Sequence, residues 1–174
     1  ADFKSWIVTP EPDQILYSTI FFDFRSGYGA HELAEDIRES IIPLASREQV
    51  FLRYLAEDCL SNRPPLTFFR NFMVEKDGQN KNTLDLKTRG LVPLIDFARL
   101  MALKFQITET NTQDRLQLLN QAGEISQQLY SEILEAYEFM MQLRLAHQLR
   151  LLGEGKEPDN YINPADFSEL EKRT

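Results

Sequence analysis

The chain has 174 residues, of which 43% are hydrophobic, and its net charge is −8. This length suits one domain with at most a small appendage, and the acidic balance argues against a nucleic-acid partner, because binding to a phosphate backbone relies on Lys and Arg. The lone Cys59 excludes an intrachain disulfide and fits a reducing cytoplasm, and no run of ~18 apolar residues predicts a membrane span.

The first predicted elements are a short helix and a strand. Residues 2–8 have helical periodicity. From Thr19 to Arg25, β-branched and aromatic residues alternate with polar ones, which is typical of a strand. Asp23 lies in the middle of this run and shares a face with Arg25. The plain interpretation is an ion pair at a sheet edge, although a carboxylate in so apolar a strand also suggests a function.

After residue 30 most of the chain has the period of amphipathic helices. The predicted helices span 31–42, 46–62, 91–105, 112–122 and 126–152. Two further segments, 70–76 and 83–88, are candidates for a hairpin across a polar loop. We therefore predict a mainly α fold, a helical bundle around the long helix 126–152, with a few short strands that include 19–25.

The segment from Thr83 to Leu103 joins a short β-like run to a helix. Asp85 and Lys87 are two residues apart on the predicted strand and should therefore point to the same side, while Arg89 lies at the turn into the helix. Because a helix N-terminus favours anions, these side chains can form an anion site. The alternative is a strand-to-helix junction with a local ion pair.

One face of the long helix carries polar residues at positions that should face the core. Steps of four and three residues connect Ile133, Tyr137, Met140, Arg144, His147 and Leu151. A buried Arg144 needs a carboxylate or several carbonyls, so one interpretation is an internal Arg–acid pair beside a hydrogen-bonded His147. The other is that the stripe lines a substrate cleft, where Arg144 binds a phosphate or carboxylate as a fork.

Several motifs occur together in an order that resembles a known family. The first is DLKTRGLVPLIDFAR at 85–99, and the others are FKSWI at 3–7, IFFDFR at 20–25, RPPL at 63–66, TNT at 110–112, RLAHQ at 144–148 and PDN at 158–160. This ordered set resembles a bacterial family of proteins that are assigned as nucleotidyltransferases by sequence and that have a C-terminal substrate-binding domain. That family is itself similar to PII uridylyltransferase and glutamine-synthetase adenylyltransferase. The resemblance spans nearly the whole chain.

The resemblance implies that this chain is the C-terminal part of a longer enzyme. Nucleotidyl transfer of this type resembles two-metal phosphoryl transfer, which needs a Gly-Ser turn and an Asp-x-Asp pair, and neither precedes Asp23. Residues 1–28 are therefore interpreted as the end of a truncated catalytic domain and 29–174 as a helical substrate-binding domain. Mg²⁺ and a nucleoside triphosphate are expected for the full-length parent. The fragment itself is expected to hold no metal or other cofactor and to be inactive alone.

The resemblance also assigns expected roles to the candidate residues. Asp23 corresponds to a third catalytic carboxylate, and the expected substrate-binding residues are Arg25, Asp85, Lys87, Arg89, Arg144, His147 and Gln148. The expected function is substrate binding for a uridylyl- or adenylyltransferase-like enzyme in a cytoplasmic signal-transduction protein. Its partners would be a nucleotide and an unknown protein or small-molecule acceptor. The alternative is a non-enzymatic helical module that regulates or binds a protein, and either function allows a homodimer.

Overall fold

The computed structural model describes residues 2–11, 15, 18–19, 21–61, 74–75, 77–78 and 80–167. The α-helices are α1 Asp2–Val8, α2 Glu32–Ala45, α3 Gln49–Ser61, α4 Val92–Lys104, α5 Thr112–Gln121 and α6 Gln127–Gly153. The shorter elements are β1 Leu84–Asp85, a π-helical turn Lys87–Leu91, β2 Tyr161–Ile162 and a 3-10 turn Pro164–Asp166. The predicted mainly α fold class is confirmed. Within the described ranges, no helix is both long and apolar enough to cross a membrane.

The chain divides into two compact units, each made of two separate stretches. Unit 1 comprises Ala1–Ser61 and Ile95–Tyr130, and unit 2 comprises Asn62–Leu94 and Ser131–Thr174. Helices α4 and α6 therefore each contribute residues to both units. The predicted domain limit between residues 28 and 29 stays a prediction.

Unit 1 is built around apolar side chains from its helices. Ile7 of α1, Ile41 of α2, Phe51 of α3 and Leu103 of α4 are each at most 3% exposed and belong to one cluster. Helix α5 begins after Asn111, whose side chain caps the first backbone N–H groups. These contacts position α4 and α5, and both helices contribute arginines to a polar cluster in the same unit.

Unit 2 contains a small antiparallel sheet that packs on α6. Leu84 pairs with Ile162, and Asp85 pairs with Tyr161. The inner side chains of the sheet form an apolar cluster, against which Met140 of α6 packs. Because burial of these side chains is favourable, the sheet fixes the extended chain around residue 160 beside α6.

The predicted strand at 19–25 is wrong. Its described residues form the end of a helix and a turn, and the N–H of Phe22 donates to the carbonyl of Ser18 at 3.0 Å, as in an α-helix. Ile20 lies outside the described residues. The buried side chains have the spacing of one helical face; they are Ile15, Ser18, Thr19 and Phe22. Asp23 therefore lies in a turn and not on a strand.

The predicted hairpin between 70–76 and 83–88 can be followed in part. The N–H of Glu75 donates to the carbonyl of Thr83, and the N–H of Asn82 donates to the carbonyl of Glu75, both at 2.8 Å. Most of the first segment lies outside the described residues. Strand β1 itself pairs with β2, which follows α6 in the chain.

Strand β1 also ends three residues earlier than predicted, at Asp85 and not at residue 88. Leu86 has helical dihedral angles (φ −65°, ψ −30°), and the carboxylate of Asp85 accepts a hydrogen bond from the N–H of Thr88 at 3.0 Å. Asp85 thus satisfies a backbone donor at the start of the helical turn, as an N-terminal cap does. The predicted common strand face of Asp85 and Lys87 is therefore wrong.

Candidate functional site

Two of the sequence motifs bind each other in unit 2. The Nε of Arg144 donates to Oδ1 of Asn160 at 2.7 Å, and the side-chain amide of Gln148 donates to Oδ1 of Asn160 and to the carbonyl of Asp159, each at 3.3 Å. The Nε2 of His147 lies 2.7 Å from Oδ1 of Asp159. The RLAHQ segment of α6 therefore holds the PDN segment in place. The partner of Arg144 is an amide, not the acid that an internal Arg–acid pair would require.

The DLKTRGL motif also contacts the PDN segment, through its backbone. The N–H of Leu86 donates to the carbonyl of Asn160 at 3.0 Å, next to the β1–β2 pair. The cationic side chains of this motif lie elsewhere: Lys87 is exposed, and Arg89 pairs with Glu75 at 2.9 Å. The motif therefore contacts the PDN segment through the backbone next to β1 and not through its cationic side chains. Substrate binding by Lys87 and Arg89 stays a prediction.

A close helix contact explains the glycine of this motif. A Cβ added at Gly90 would lie 2.6 Å from Sδ of Met140 and 3.3 Å from Cδ1 of Leu86. These distances are too short for a methyl group without movement of the neighbours. Gly90 therefore allows the π-helical turn to pack directly on α6.

His147 is hydrogen-bonded on both ring nitrogens. The Nη2 of Arg150 lies 3.3 Å from Nδ1 of His147, and a guanidinium can only donate. Nδ1 is therefore the acceptor, and Nε2 carries the proton that it shares with Asp159. Partial burial of Asp159 acts to raise its pKa, but hydrogen bonds from His147 and from the N–H of Tyr161 hold that pKa below its usual range. This arrangement orients His147 and leaves it no free nitrogen to act as a base.

An open pocket of about 420 Å³ lies between α6 and β2. Leu143 and Ala146 form an apolar wall, whereas the polar lining comes from His147, Arg150, Tyr161 and Asn163. The side chain of Arg150 is 58% exposed and is held by Glu154 at 3.1 Å. The pocket thus combines an apolar wall with one accessible cation, a combination that suits an anionic organic molecule.

The pocket lining also contains three residues that were not expected from the sequence: Arg150, Tyr161 and Asn163. Arg150 follows His147 by three residues and so lies on a neighbouring part of the same helical face, which is a signal that helical spacing could have given. The two tail residues became candidates only when β2 placed them beside α6. Of the expected site residues, His147 lines the pocket, and Arg144 and Gln148 support the segment that forms its edge.

Asp23 is the centre of a separate polar cluster in unit 1. Its Oδ2 accepts hydrogen bonds from Nε and Nη2 of Arg99 at 2.9 and 2.5 Å, and its Oδ1 accepts one from Nη2 of Arg115 at 2.5 Å. The predicted Asp23–Arg25 ion pair is therefore wrong, and Arg25 is exposed. The true partners are remote in sequence, so strand spacing could not reveal them.

This environment differs from that of a metal ligand. Both oxygens of Asp23 already accept from guanidinium groups, and in the described part of the chain no three His, Cys, Asp or Glu side chains are grouped to hold a metal ion. Burial raises the pKa of Asp96, which pairs with Arg99, and burial lowers the pKa of Arg115 although Asp23 opposes that shift. The contacts favour an electrostatic role for Asp23, and its catalytic role stays a prediction.

The comparison with known families agrees with the motif analysis. A family model described as "Putative nucleotidyltransferase substrate binding domain" matches residues 49–174. No curated protein and no solved structure matches the chain. The matched range includes all three motifs that meet at Asn160, whereas Asp23 and Arg25 precede it. Since the match covers well over half of the chain, the chain belongs to this family of substrate-binding domains.

Proposed function

We propose that unit 2 binds the acceptor substrate of a nucleotidyltransferase reaction, in the pocket between α6 and β2, and that this acceptor carries a phosphate or carboxylate group. The observation that supports this most strongly is Arg150, an accessible cation at an open pocket with an apolar wall. A guanidinium binds phosphate and carboxylate oxygens through charge-assisted hydrogen bonds. The apolar wall suits the carbon skeleton of the same molecule.

The surrounding hydrogen bonds prepare this pocket for binding. Asp159 and Arg150 fix the ring of His147, and Asn160 accepts from Nε of Arg144. Arg144 thereby fixes the segment that leads into β2, which contributes Tyr161 and Ile162 to the pocket. A site held in this way loses little conformational freedom when ligand binds.

The transfer chemistry would occur in a catalytic domain that holds Mg²⁺ and a nucleoside triphosphate. The present chain would select and orient the acceptor, which is a small molecule or a protein segment, while the catalytic domain carries out the transfer. A uridylyl- or adenylyltransferase type of reaction and a role in cytoplasmic signal transduction belong to the same proposal. The sequence resemblance to PII uridylyltransferase supports them.

Isothermal titration with inorganic phosphate tests the anion-binding part of the proposal. We expect Arg150→Ala to weaken phosphate binding about tenfold. This corresponds to the binding free energy that one charge-assisted hydrogen-bonding group contributes. Because the Arg150–Glu154 pair is exposed, the melting temperature should change by only about 2–4 °C or less.

The matched control is Arg53→Ala. Arg53 forms the same kind of exposed pair, with Glu57 four residues later, in α3. This variant should bind phosphate as the wild type does. Equal phosphate affinities for the wild type and the Arg150→Ala variant would contradict the assignment of the pocket.

A second candidate function, a module that binds a protein or a second copy of the chain, is supported by an exposed apolar row on α6. Leu145 and Leu149 are each 59% exposed, and Met141 and Leu152 extend the row. Sedimentation velocity tests this candidate. A dimer that dissociates in the Leu145→Glu variant would support it, and a monomer at all concentrations would count against self-association.

A further inference from the structure

The arginines around Asp23 outnumber the acids that they contact in the cluster. Arg99 and Arg115 bind the two oxygens of Asp23, and Arg99 also binds Asp96 at 2.5 Å. Arg38 contacts the residue that follows Asp23. Its Nη2 donates to the carbonyl of Phe24, and its guanidinium lies 5.1 Å from the centre of the Phe24 ring. Two guanidinium groups therefore bind the two carboxylates, and the third, that of Arg38, is near enough to Arg115 to act on it electrostatically.

Two of these guanidinium groups have buried nitrogens with no acceptor. Arg115 is only 3% exposed, and its Nε donates to the carbonyl of Glu109 at 2.6 Å, but its Nη1 has no hydrogen-bond partner among the described residues. The Nε of Arg38 is buried and unpaired in the same way. Unpaired buried donors, above all charged ones, are unfavourable. The cluster therefore has two buried guanidinium nitrogens that neither Asp23 nor Asp96 satisfies.

We infer that Arg38, Arg99 and Arg115 form a binding site for a phosphate group, and that the carboxylate of Asp23 is its internal occupant in this structure. A phosphate offers more acceptor oxygens and more negative charge than a carboxylate, so it matches the surplus of donors.

The position of Asp23 in the chain would allow a ligand to displace its carboxylate from the arginines. Asp23 lies in a turn, and residues 24–30 have no regular secondary structure. It also precedes the family-matched range, whereas Arg99 and Arg115 lie inside that range. Arg99 and Arg115 thus belong to the matched domain, whereas Asp23 and Arg38 precede it. A phosphate ligand would displace the carboxylate of Asp23 alone, because the neighbouring Phe22 is buried in the core of unit 1.

Removal of Asp23 should open the site. Phosphate binding is measured in an Arg150→Ala background, so that the proposed pocket of unit 2 does not contribute. At constant ionic strength, with chloride as the reference anion, Asp23→Ala should bind inorganic phosphate at least about tenfold more tightly than the background does, because the internal competitor is gone. The matched control is Asp36→Ala, which removes an exposed acid of α2 and should have no effect.

A second variant and a second ligand complete the test. Asp23→Asn keeps the size of the side chain, and it should also gain phosphate binding, which Arg115→Ala should then abolish. Tighter binding of UMP than of inorganic phosphate would assign the site to a nucleotide phosphate, and equal or weaker binding would assign it to free phosphate; both support the site. The inference is overturned if neither Asp23 variant gains affinity. It is equally overturned if both fail to fold with and without phosphate, because Asp23 would then be an irreplaceable ion-pair partner.

Discussion

Single residues of unit 2 owe their positions to partners that local sequence does not reveal. The helical period places Arg144 and His147 on the less exposed side of α6, as predicted, since both are half-buried. Their partners Asn160 and Asp159 lie beyond the end of the helix, and periodicity carries no information about them. The same limit applies more strongly to Asp23, because its arginine partners are 76 and 92 residues away in sequence.

The lowered pKa of Asp159 predicts a pH dependence of stability. A carboxylate whose pKa is lower in the folded state stabilises the fold above its unfolded pKa, and this contribution is lost as the pH falls through the folded value. We expect Asp159→Asn to be less stable than the wild type at neutral pH. The difference in melting temperature should shrink as the pH falls below about 4, where the wild-type carboxylate becomes protonated. Thermal unfolding between neutral pH and about pH 2 measures this, and a difference that is independent of pH would contradict the role of the Asp159 charge.

Among secondary-structure elements, the long helices could be predicted and the short strands could not. The predicted helix 126–152 corresponds to α6, which Ser126 caps through its Oγ, an acceptor for the N–H of Leu129 at 3.1 Å. The aromatic run before Asp23 has the composition of a strand but the burial period of a helix, because tertiary packing decides between them. Strand β1 is short because Asp85 begins a helical turn, and its pairing with β2 depends on a remote segment.

The packing of the π-helical turn on α6 predicts a specific cost for a methyl group at Gly90. Gly90→Ala would place Cβ against the flexible side chains of Met140 and Leu86, which must shift, and we expect a loss of about 1 kcal/mol in the free energy of unfolding, the low end of the cost of overpacking. Gly153→Ala is the control, since no atom lies within 4 Å of a Cβ at that position. There the helix propensity of Ala should leave stability unchanged or raise it by up to about 1 kcal/mol. Urea denaturation of the two variants measures both effects, and equal stabilities would show that the turn does not need a glycine.

At the scale of the whole molecule, the fold class and the family follow from the sequence, but the division into units does not. Amphipathic periods predict a mainly α chain, and the ordered motifs agree with the family that matches residues 49–174. Each unit combines two stretches that are separated in sequence. Local patterns describe one segment at a time, so they cannot show which distant stretches fold together.

A phosphate titration followed by ¹H–¹⁵N NMR spectra of the chain tests directly whether unit 2 binds an anion. If unit 2 binds the anionic group of an acceptor beside α6 and β2, saturable shifts should occur at the amides of His147 and Arg150 and of residues 161–163, the segments that line the pocket. These shifts should weaken in the Arg150→Ala variant. Saturable shifts elsewhere, with no change at these amides, would contradict anion binding in this pocket.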